Sequence, residues 1–549
     1  MDRHASPLSR DIEPQRTRSY VRNIRQDSPE PQKVYVETKA EEPPDLPKDQ
    51  KLPNWRQMNC HIEVDENNRL GKGSYGEVYP LKNDSSKVVK IVSVDISTAA
   101  STLVEACMLK SIRHPYLLSA DKVILSSLCK DNSPPLKEIK IIMPRADIDS
   151  FQLTETSFMP MMKFLVPKSA LGVKALHDAG FIHRDIKPEN ILVFDKEGTI
   201  KIADFGLSCL RIDGLSYSVN VQTLPYRAPE LLRDQDCHYY TDKIDVYSLA
   251  ITWLTILGRA LFYYKPDKPE WRNLDYLNQL QQRRGKRVTA SQLRREYRLE
   301  TLNQIYDLDG MFNIHSIVRV LNVNPELKEE MAQSGISGEL STFIDLIQHM
   351  THRDPSKRYS MQQVLESAYV RDYCTKDVIK QPVQFTAIPP YNTTFQNRDL
   401  WIKTLNRIFQ LAKNVRQNGT DTTNILVRNI ISSYAFELLL RSRQSAFNVP
   451  LQNDVSIAAA VYLSEMIVFP VSRHVTSASV DNSVVRSRDR GEIWFMLKQK
   501  IVAILQSVDF NIFSDTLWQK VLQENKANSD EISLKENLLK WAITRGKKD

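Results

Sequence analysis

The sequence predicts an α+β chain in two folded parts, with strands early and helices late. Three observations predict it. From about residue 60, short apolar β-like runs are separated by glycine-bearing turns. Helical periodicity then takes over at residues 161–180 and again from Asp245. After a proline-bearing stretch, residues 399–527 read as helical throughout.

A chain of 549 residues is too long for one core, so more than one domain is expected. Hydrophobic content of 42% and charged content of 26% are those of an ordinary globular protein. A net charge of +8 over this length is a mild bias. No long basic run accompanies it, so no nucleic-acid partner is expected. The six cysteines are scattered without C-x-x-C spacing, which argues against a zinc site or a disulfide framework and fits a reducing compartment. The N-terminus is charged from Asp2 onward, and no stretch reaches the ~18 apolar residues of a membrane span. An intracellular, soluble protein with no membrane partner is the expectation.

Residues 1–56 are rich in Arg, Pro, Glu and Ser and lack hydrophobic periodicity, so they are expected to form a disordered arm. Ser6-Pro7 and Ser28-Pro29 within it are either proline-directed phosphorylation sites or linker prolines. Leu70-Gly71-Lys72-Gly73-Ser74-Tyr75-Gly76-Glu77-Val78 is a G-x-G-x-x-G-x-V loop, whose glycines let the backbone approach phosphates closely. Alone it is a weak signal. Here it is followed by Val88-Val89-Lys90-Ile91, a short apolar strand carrying one lysine. Lys87 competes for that role, but Lys90 has apolar neighbours on both sides, and a buried lysine needs a partner. Glu105, on a helix expected over 99–113, is that partner; Leu103, Cys107 and Leu109 should point inward. Residues 139–145 read as a strand leading into a hinge, with Met143 beside the ligand.

The densest chemistry lies in His183-Arg184-Asp185-Ile186-Lys187-Pro188-Glu189-Asn190, with Asp204-Phe205-Gly206 further on. Asp185 can accept or orient the proton of an attacking hydroxyl. Lys187 can neutralise charge on a transferring phosphoryl group. Asn190 and Asp204 can hold Mg²⁺. These motifs resemble the eukaryotic-type protein kinase family over residues 60–372, and Lys187 resembles its serine/threonine branch. The resemblance implies a bilobal fold, a small β-rich N-lobe and a larger helical C-lobe, that transfers the γ-phosphoryl group of ATP to a protein substrate. ATP would contact the loop from Leu70 to Val78 and Lys90, with Glu105 positioning Lys90. It also implies an activation segment from Asp204 to Ala228-Pro229-Glu230, a buried Glu230–Arg358 pair, and a helix anchored at Asp245. Residues 263–340 read as an insert.

Ala100-Ser101-Thr102-Leu103-Val104-Glu105 is similar to the P-S-T-A-I-R-E helix of cyclin-dependent kinases, and Ser74-Tyr75 to their inhibitory pair. Thr223-Leu224-Pro225-Tyr226-Arg227 resembles their T-L-W-Y-R. Pro225 stands near the pocket for the residue after the acceptor, so proline-directed specificity is not assumed. Ser218 takes the place of the activating threonine. Of the three arginines that grip its phosphate in that family, only Arg184 is kept; Val104 and Cys209 replace the others. A phosphate wants several charge-assisted donors, so modification of Ser218 should matter little, and protein contacts would hold the segment instead.

Residues 373–398 are expected to be a linker. In 399–527, Ala458-Ala459-Ala460 in an apolar helix and Val508-Asp509-Phe510-Asn511-Ile512 after another resemble a cyclin box in layout. The box's docking lysine and glutamate fall at Met466 and Ile501, so either docking is apolar or the bundle is unrelated. Residues 528–549 are read as a tail. The linker of about 25 residues extends at most about 80 Å, at ~3.3 Å per residue, enough for an all-α cyclin-like domain to reach the Glu105 helix in the same chain. A kinase–cyclin fusion is uncommon in cells, and a large DNA virus is a source that would fit. The alternative is an inactive kinase-fold scaffold whose helical domain binds a separate protein.

Overall fold

A computed structural model describes residues 62–73, 76–94, 99–125, 138–155, 158–194, 198–232, 237–258, 306–313, 339–371, 382–386, 398–413, 421–443, 454–469, 490–513 and 530–545. The arm at 1–56 with its two Ser-Pro pairs, Ser74, Tyr75 and most of the expected insert lie outside these residues.

The small lobe is a five-stranded antiparallel sheet. Its strands are β1 (Gly71–Gly73), β2 (Gly76–Pro80), β3 (Lys87–Ser93), β5 (Lys122–Leu125) and β6 (Glu138–Pro144), in the order β1-β2-β3-β6-β5. Helix α1 (Ala99–Ser111) and the short β4 (Ile112–Arg113) lie between β3 and β5 in the chain. In β3, Val88, Val89 and Val92 are buried, on both faces of the strand, and Lys87 at its start is half-exposed beside Asp84 and Asp121. Lys87 is therefore spent on the surface, and Lys90, paired in register with Val78 and Ile141, faces the site. Gly76 is required by packing: a Cβ there would lie 2.5 Å from the Ile91 carbonyl oxygen.

In the larger lobe, β7 (Ile148–Asp149), β9 (Ile191–Val193) and β10 (Ile200–Ile202) form a small sheet over α2 (Phe158–Asp178). Two ribbons shape the segment after Asp204: β8 (Phe181–Ile182) pairs with β11 (Cys209–Leu210), and β12 (Ser216–Ser218) with β13 (Cys237–Tyr239). Helices α3 (Lys243–Gly258), α4 (Glu339–Met350) and α5 (Met361–Glu366) complete the lobe. Ser360 caps α5 in a reciprocal box with Gln363.

The Glu230–Arg358 pair is fully buried and bidentate at 2.8 and 3.0 Å. Arg358 also donates to the carbonyls of Lys243 and His352 and lies over the Tyr247 ring. Arg358→Leu strands a buried carboxylate and should destabilise the full chain by about 3–5 kcal/mol, read as a lowered denaturation midpoint. A loss below 1 kcal/mol would mean that Glu230 finds another partner.

Downstream, β14 (Gln384–Phe385) precedes an all-helical domain: α6 (Arg398–Ala412), α7 (Asp421–Arg443), α8 (Asp454–Val468), α9 (Arg490–Ser507) and α10 (Glu531–Arg545). Ala458, Ala459 and Ala460 on α8 are all at zero exposure, as small residues between close-packed helices should be. Two expectations change here. The stretch read as a tail contains α10, which buries Leu534, Leu538 and Leu539 and joins Lys535 to Asn406 of α6. The stretch read as a linker contains β14, paired antiparallel with β4. Both were obscured by short apolar spacing among many charges or prolines. No described helix is long and apolar enough to cross a membrane.

Candidate active site

Sheet pairing carries Lys90 opposite α1, and its Nζ lies 2.5 Å from Glu105 Oε1. Burial pushes the Glu105 carboxyl up, and the Lys90 ammonium opposes that shift. The helix is packed against the Asp204-Phe205-Gly206 turn: a Cβ on Gly206 would lie 3.6 Å from the Ser101 carbonyl oxygen and 4.0 Å from Glu105 Cβ.

Asp204 adopts a left-handed backbone, φ 64°, uncommon for a residue with a side chain and expected where function requires it. Burial works against its ionisation, but Lys90, Lys187 and His183 hold its carboxyl below the usual range. His183 ties this turn to the catalytic loop. Its Nδ1 accepts from the Asp185 amide at 3.2 Å, which leaves Nε2 to donate to the Ala203 carbonyl at 2.9 Å.

The loop itself hangs on Asp245, at the start of α3. One carboxylate oxygen accepts from the His183 amide at 2.7 Å and from His177 Nε2, the other from the Arg184 amide at 2.9 Å. Burial raises and these donors lower the Asp245 carboxyl, with a net downward shift. Arg184, at φ 67°, has a left-handed backbone just before Asp185.

Asp185 Oδ2 receives Lys187 Nζ at 2.7 Å; Oδ1 accepts from the Thr223 amide at 2.9 Å and its hydroxyl at 2.8 Å. Lys187 also donates to Thr223 Oγ1 at 3.1 Å. Burial alone would lower the Lys187 ammonium, but Asp185 beside it reverses the shift upward. Asn190 donates from Nδ2 to the Asp185 carbonyl at 2.8 Å, and its Oδ1 accepts no hydrogen bond among the described residues. Thr223, which the sequence offered only as part of a resemblance, is thus a member of the site.

The glycine-rich loop closes as the β1–β2 hairpin, with Gly73 opposite Gly76. Val78 is half-buried against the core, and Leu70 is 42% exposed. Lys72 and Glu77 pair with each other at 3.3 Å, and Glu77 also engages Arg69 and Tyr79. Lys90, Glu105, Asp185, Lys187, Asn190 and Asp204 are brought together through the contacts above. A magnesium site of one carboxylate and one amide oxygen, completed by substrate phosphates and water, is the kind hard cations take; Asp204, held ionised, and Asn190 Oδ1 fit it. Among the described residues there is no group of three or more His, Cys, Asp or Glu that would form an all-protein metal cage.

Comparison with known proteins agrees with this geometry. Residues 64–370 match the protein kinase domain family. Over 204 residues the chain is 30% identical to the cell division control protein 2 homolog 2 of Trypanosoma brucei brucei, covering 36% of this chain and 56% of that protein. The chain therefore spans about half the length of that relative. With lobes, loop and paired Lys90–Glu105 arranged as that family requires, this chain belongs to the protein kinase family.

Proposed function

We propose that the chain is an ATP- and Mg²⁺-dependent protein serine/threonine kinase held in its working shape by its own cyclin-like helical domain. The observation that carries the first half is the convergence of Lys90–Glu105, Asp204 and the Asp185–Lys187–Thr223 cluster. Asp185 takes the hydroxyl proton and orients the attack. Lys187 stabilises the transferring group. Lys90, fixed by Glu105, holds the α- and β-phosphates under the glycine-rich loop. Asn190 and Asp204 hold Mg²⁺, which neutralises phosphate charge when bound.

Support for the second half is the burial of α1. Every residue of this helix except Lys110 is buried, though a helix at a lobe's edge should show one wet face. The helical domain and β14 supply the cover. Lys498 of α9 donates to the Val94 carbonyl at 3.3 Å. Asp509 pairs with Lys110 at 3.0 Å. Thr386, next to β14, donates its amide to the Ser111 carbonyl and its hydroxyl to the Lys110 carbonyl, capping the C-terminal end of α1, and Asn511 donates to the Thr386 carbonyl at 2.8 Å. Met466 and Ile501 are buried, and the cation comes from Lys498, one turn before Ile501.

The preferred substrate is a serine or threonine followed by proline. Gln222 is left-handed at φ 63°, and its carbonyl oxygen accepts from Arg227 at 2.8 and 3.2 Å. A peptide whose hydroxyl meets Asp185 passes this carbonyl, which has no lone pair to spare. An N–H buried there costs about 1–3 kcal/mol, and proline has none to bury. An arrayed peptide library on the full chain should show phosphoserine and phosphothreonine products and about a tenfold or greater preference for proline at +1. No transfer to any peptide would reject the kinase reading; transfer without a proline preference would reject the Gln222 argument alone.

A further inference from the structure

Arg184 carries a charge that the catalytic cluster does not use. Its side chain is 2% exposed, and among the described residues no carboxylate is within ion-pair distance. Nε donates to the Leu207 carbonyl at 2.6 Å and Nη1 to the Tyr240 hydroxyl at 3.1 Å; Nη2 has no hydrogen-bond partner among the described residues. A guanidinium stays charged in such a place, so what faces it must be polar and fixed. Tyr240 is itself buried, follows β13 directly, and donates its proton onward to the Ser218 carbonyl at 2.9 Å. The phenol is thus oriented at both ends: it accepts from the catalytic loop and donates to the activation segment.

The rest of the segment is built around that bridge. Ser218 pairs with Cys237 across the β12–β13 ribbon. The Tyr217 ring lies 5.3 Å from that of Tyr240, and its hydroxyl accepts from the Ile212 amide and donates to the Leu210 carbonyl. Gln222 donates its amide to the Arg184 carbonyl at 3.0 Å. One residue, Arg184, therefore holds the segment at three points: by Nε at Leu207, by its carbonyl at Gln222 and through Tyr240 at Ser218. By contrast, Val104 and Cys209 are buried and can donate nothing useful to an added phosphate. Of the three positions, Arg184 alone carries a cation for a group of about −1.5 to −2 charge at Ser218.

We propose that Tyr240 is a positioning residue whose hydroxyl couples Arg184 to Ser218 and keeps the activation segment in its substrate-binding shape without covalent modification of Ser218. The proposal rests on the kinase reading above and adds how that site is kept in order. It uses the Ser218 backbone carbonyl, so the Ser218 side chain should be dispensable and the Tyr240 hydroxyl should not.

The test compares full-length wild type, Ser218→Ala and Tyr240→Phe, each phosphatase-treated and shown by mass to carry no phosphate over residues 216–223. Ser218→Ala and treated wild type should keep kcat within about twofold of the untreated chain. Tyr240→Phe should lower kcat tenfold or more with an unchanged KM for ATP, and should speed hydrogen exchange at residues 216–222 but not in α2. A Tyr240→Phe chain with wild-type kcat overturns the proposal, as does a tenfold loss in treated wild type or Ser218→Ala. Should Tyr240→Phe not fold, exchange in treated wild type decides: protected amides at 216–222 support the bridge and unprotected ones overturn it. That arm needs no phosphotransfer, so it separates failure of this proposal from failure of the kinase reading.

Discussion

Asp185→Asn should lower kcat about a thousandfold while ATP affinity and the denaturation midpoint stay near those of the wild type. The side chain touches Lys187 through one oxygen and Thr223 through the other. Asparagine keeps the shape and one acceptor but cannot take a proton, and its amide would turn two donors toward a cation or a hydroxyl. Loss of a positioned base costs typically 10²–10⁴-fold. The nucleotide-binding set is held mainly by other groups: Lys90 by Glu105, Asp204 by its own turn, and Asn190 by the Asp185 backbone carbonyl at 2.8 Å, with the carboxylate further off at 3.4 Å. Single-turnover phosphorylation beside calorimetric ATP binding checks both halves. An asparagine variant with a tenth or more of wild-type kcat would take Asp185 out of the proton's path. Loss of ATP binding as well would mean that the loop, not the chemistry, had failed.

The contrast between Lys90 and Tyr240 shows what the sequence could and could not reveal. Lys90 was legible because its strand is short, apolar and β-branched, so an ammonium inside it demands a partner at helical distance, and Glu105 is there. The cluster of Asp185 with Lys187 and Asn190 was legible too, because those residues lie within six positions of one another. Tyr240 acts on Arg184 from 56 positions away and presents nothing locally but a tyrosine beside another tyrosine, of which Tyr239 is exposed. Lys498 is similar: one of its partners is a carbonyl 404 positions away. Backbone carbonyls have no sequence signature, so contacts made to them are invisible until the chain is folded.

One long-range feature did leave a trace. Helix α1 reads Ala-Ala-Ser-Thr-Leu-Val-Glu-Ala-Cys-Met-Leu-Lys-Ser, with a single cation and no polar stripe. A helix lacking a wet face is covered on all sides. The expected inward set, Leu103, Cys107 and Leu109, is buried, but so are Ala100, Val104 and Met108 between them. That composition was the sign of a second covering layer, and Glu105 made it consequential, because the covered helix carries the partner of Lys90.

The full-length double variant Lys498→Met/Phe513→Ala should therefore lose most of its activity without losing ATP binding. Phe513 is buried and meets Phe181 of β8 edge-on at 5.1 Å, so it joins the helical domain to the strand that leads into the catalytic loop. Truncating a buried phenylalanine costs about 3–5 kcal/mol. Losing a hydrogen bond from a charged donor adds about 1.5–3 kcal/mol. Together these weaken docking by roughly 10³–10⁶-fold, since 1.4 kcal/mol is tenfold. A tether supplies a millimolar effective concentration, which buffers small losses but not this one. Activity should fall tenfold or more, and exchange should accelerate in α1 and at Thr386 while α7 and α8, which do not carry the two changes, stay protected. Each single variant should show less, because a docked fraction falls only after the equilibrium constant approaches one. Faster exchange in α1 with full activity would mean that the helical domain merely rests on the kinase. Protected α1 with lost activity would place the effect in Phe181 and the catalytic loop instead.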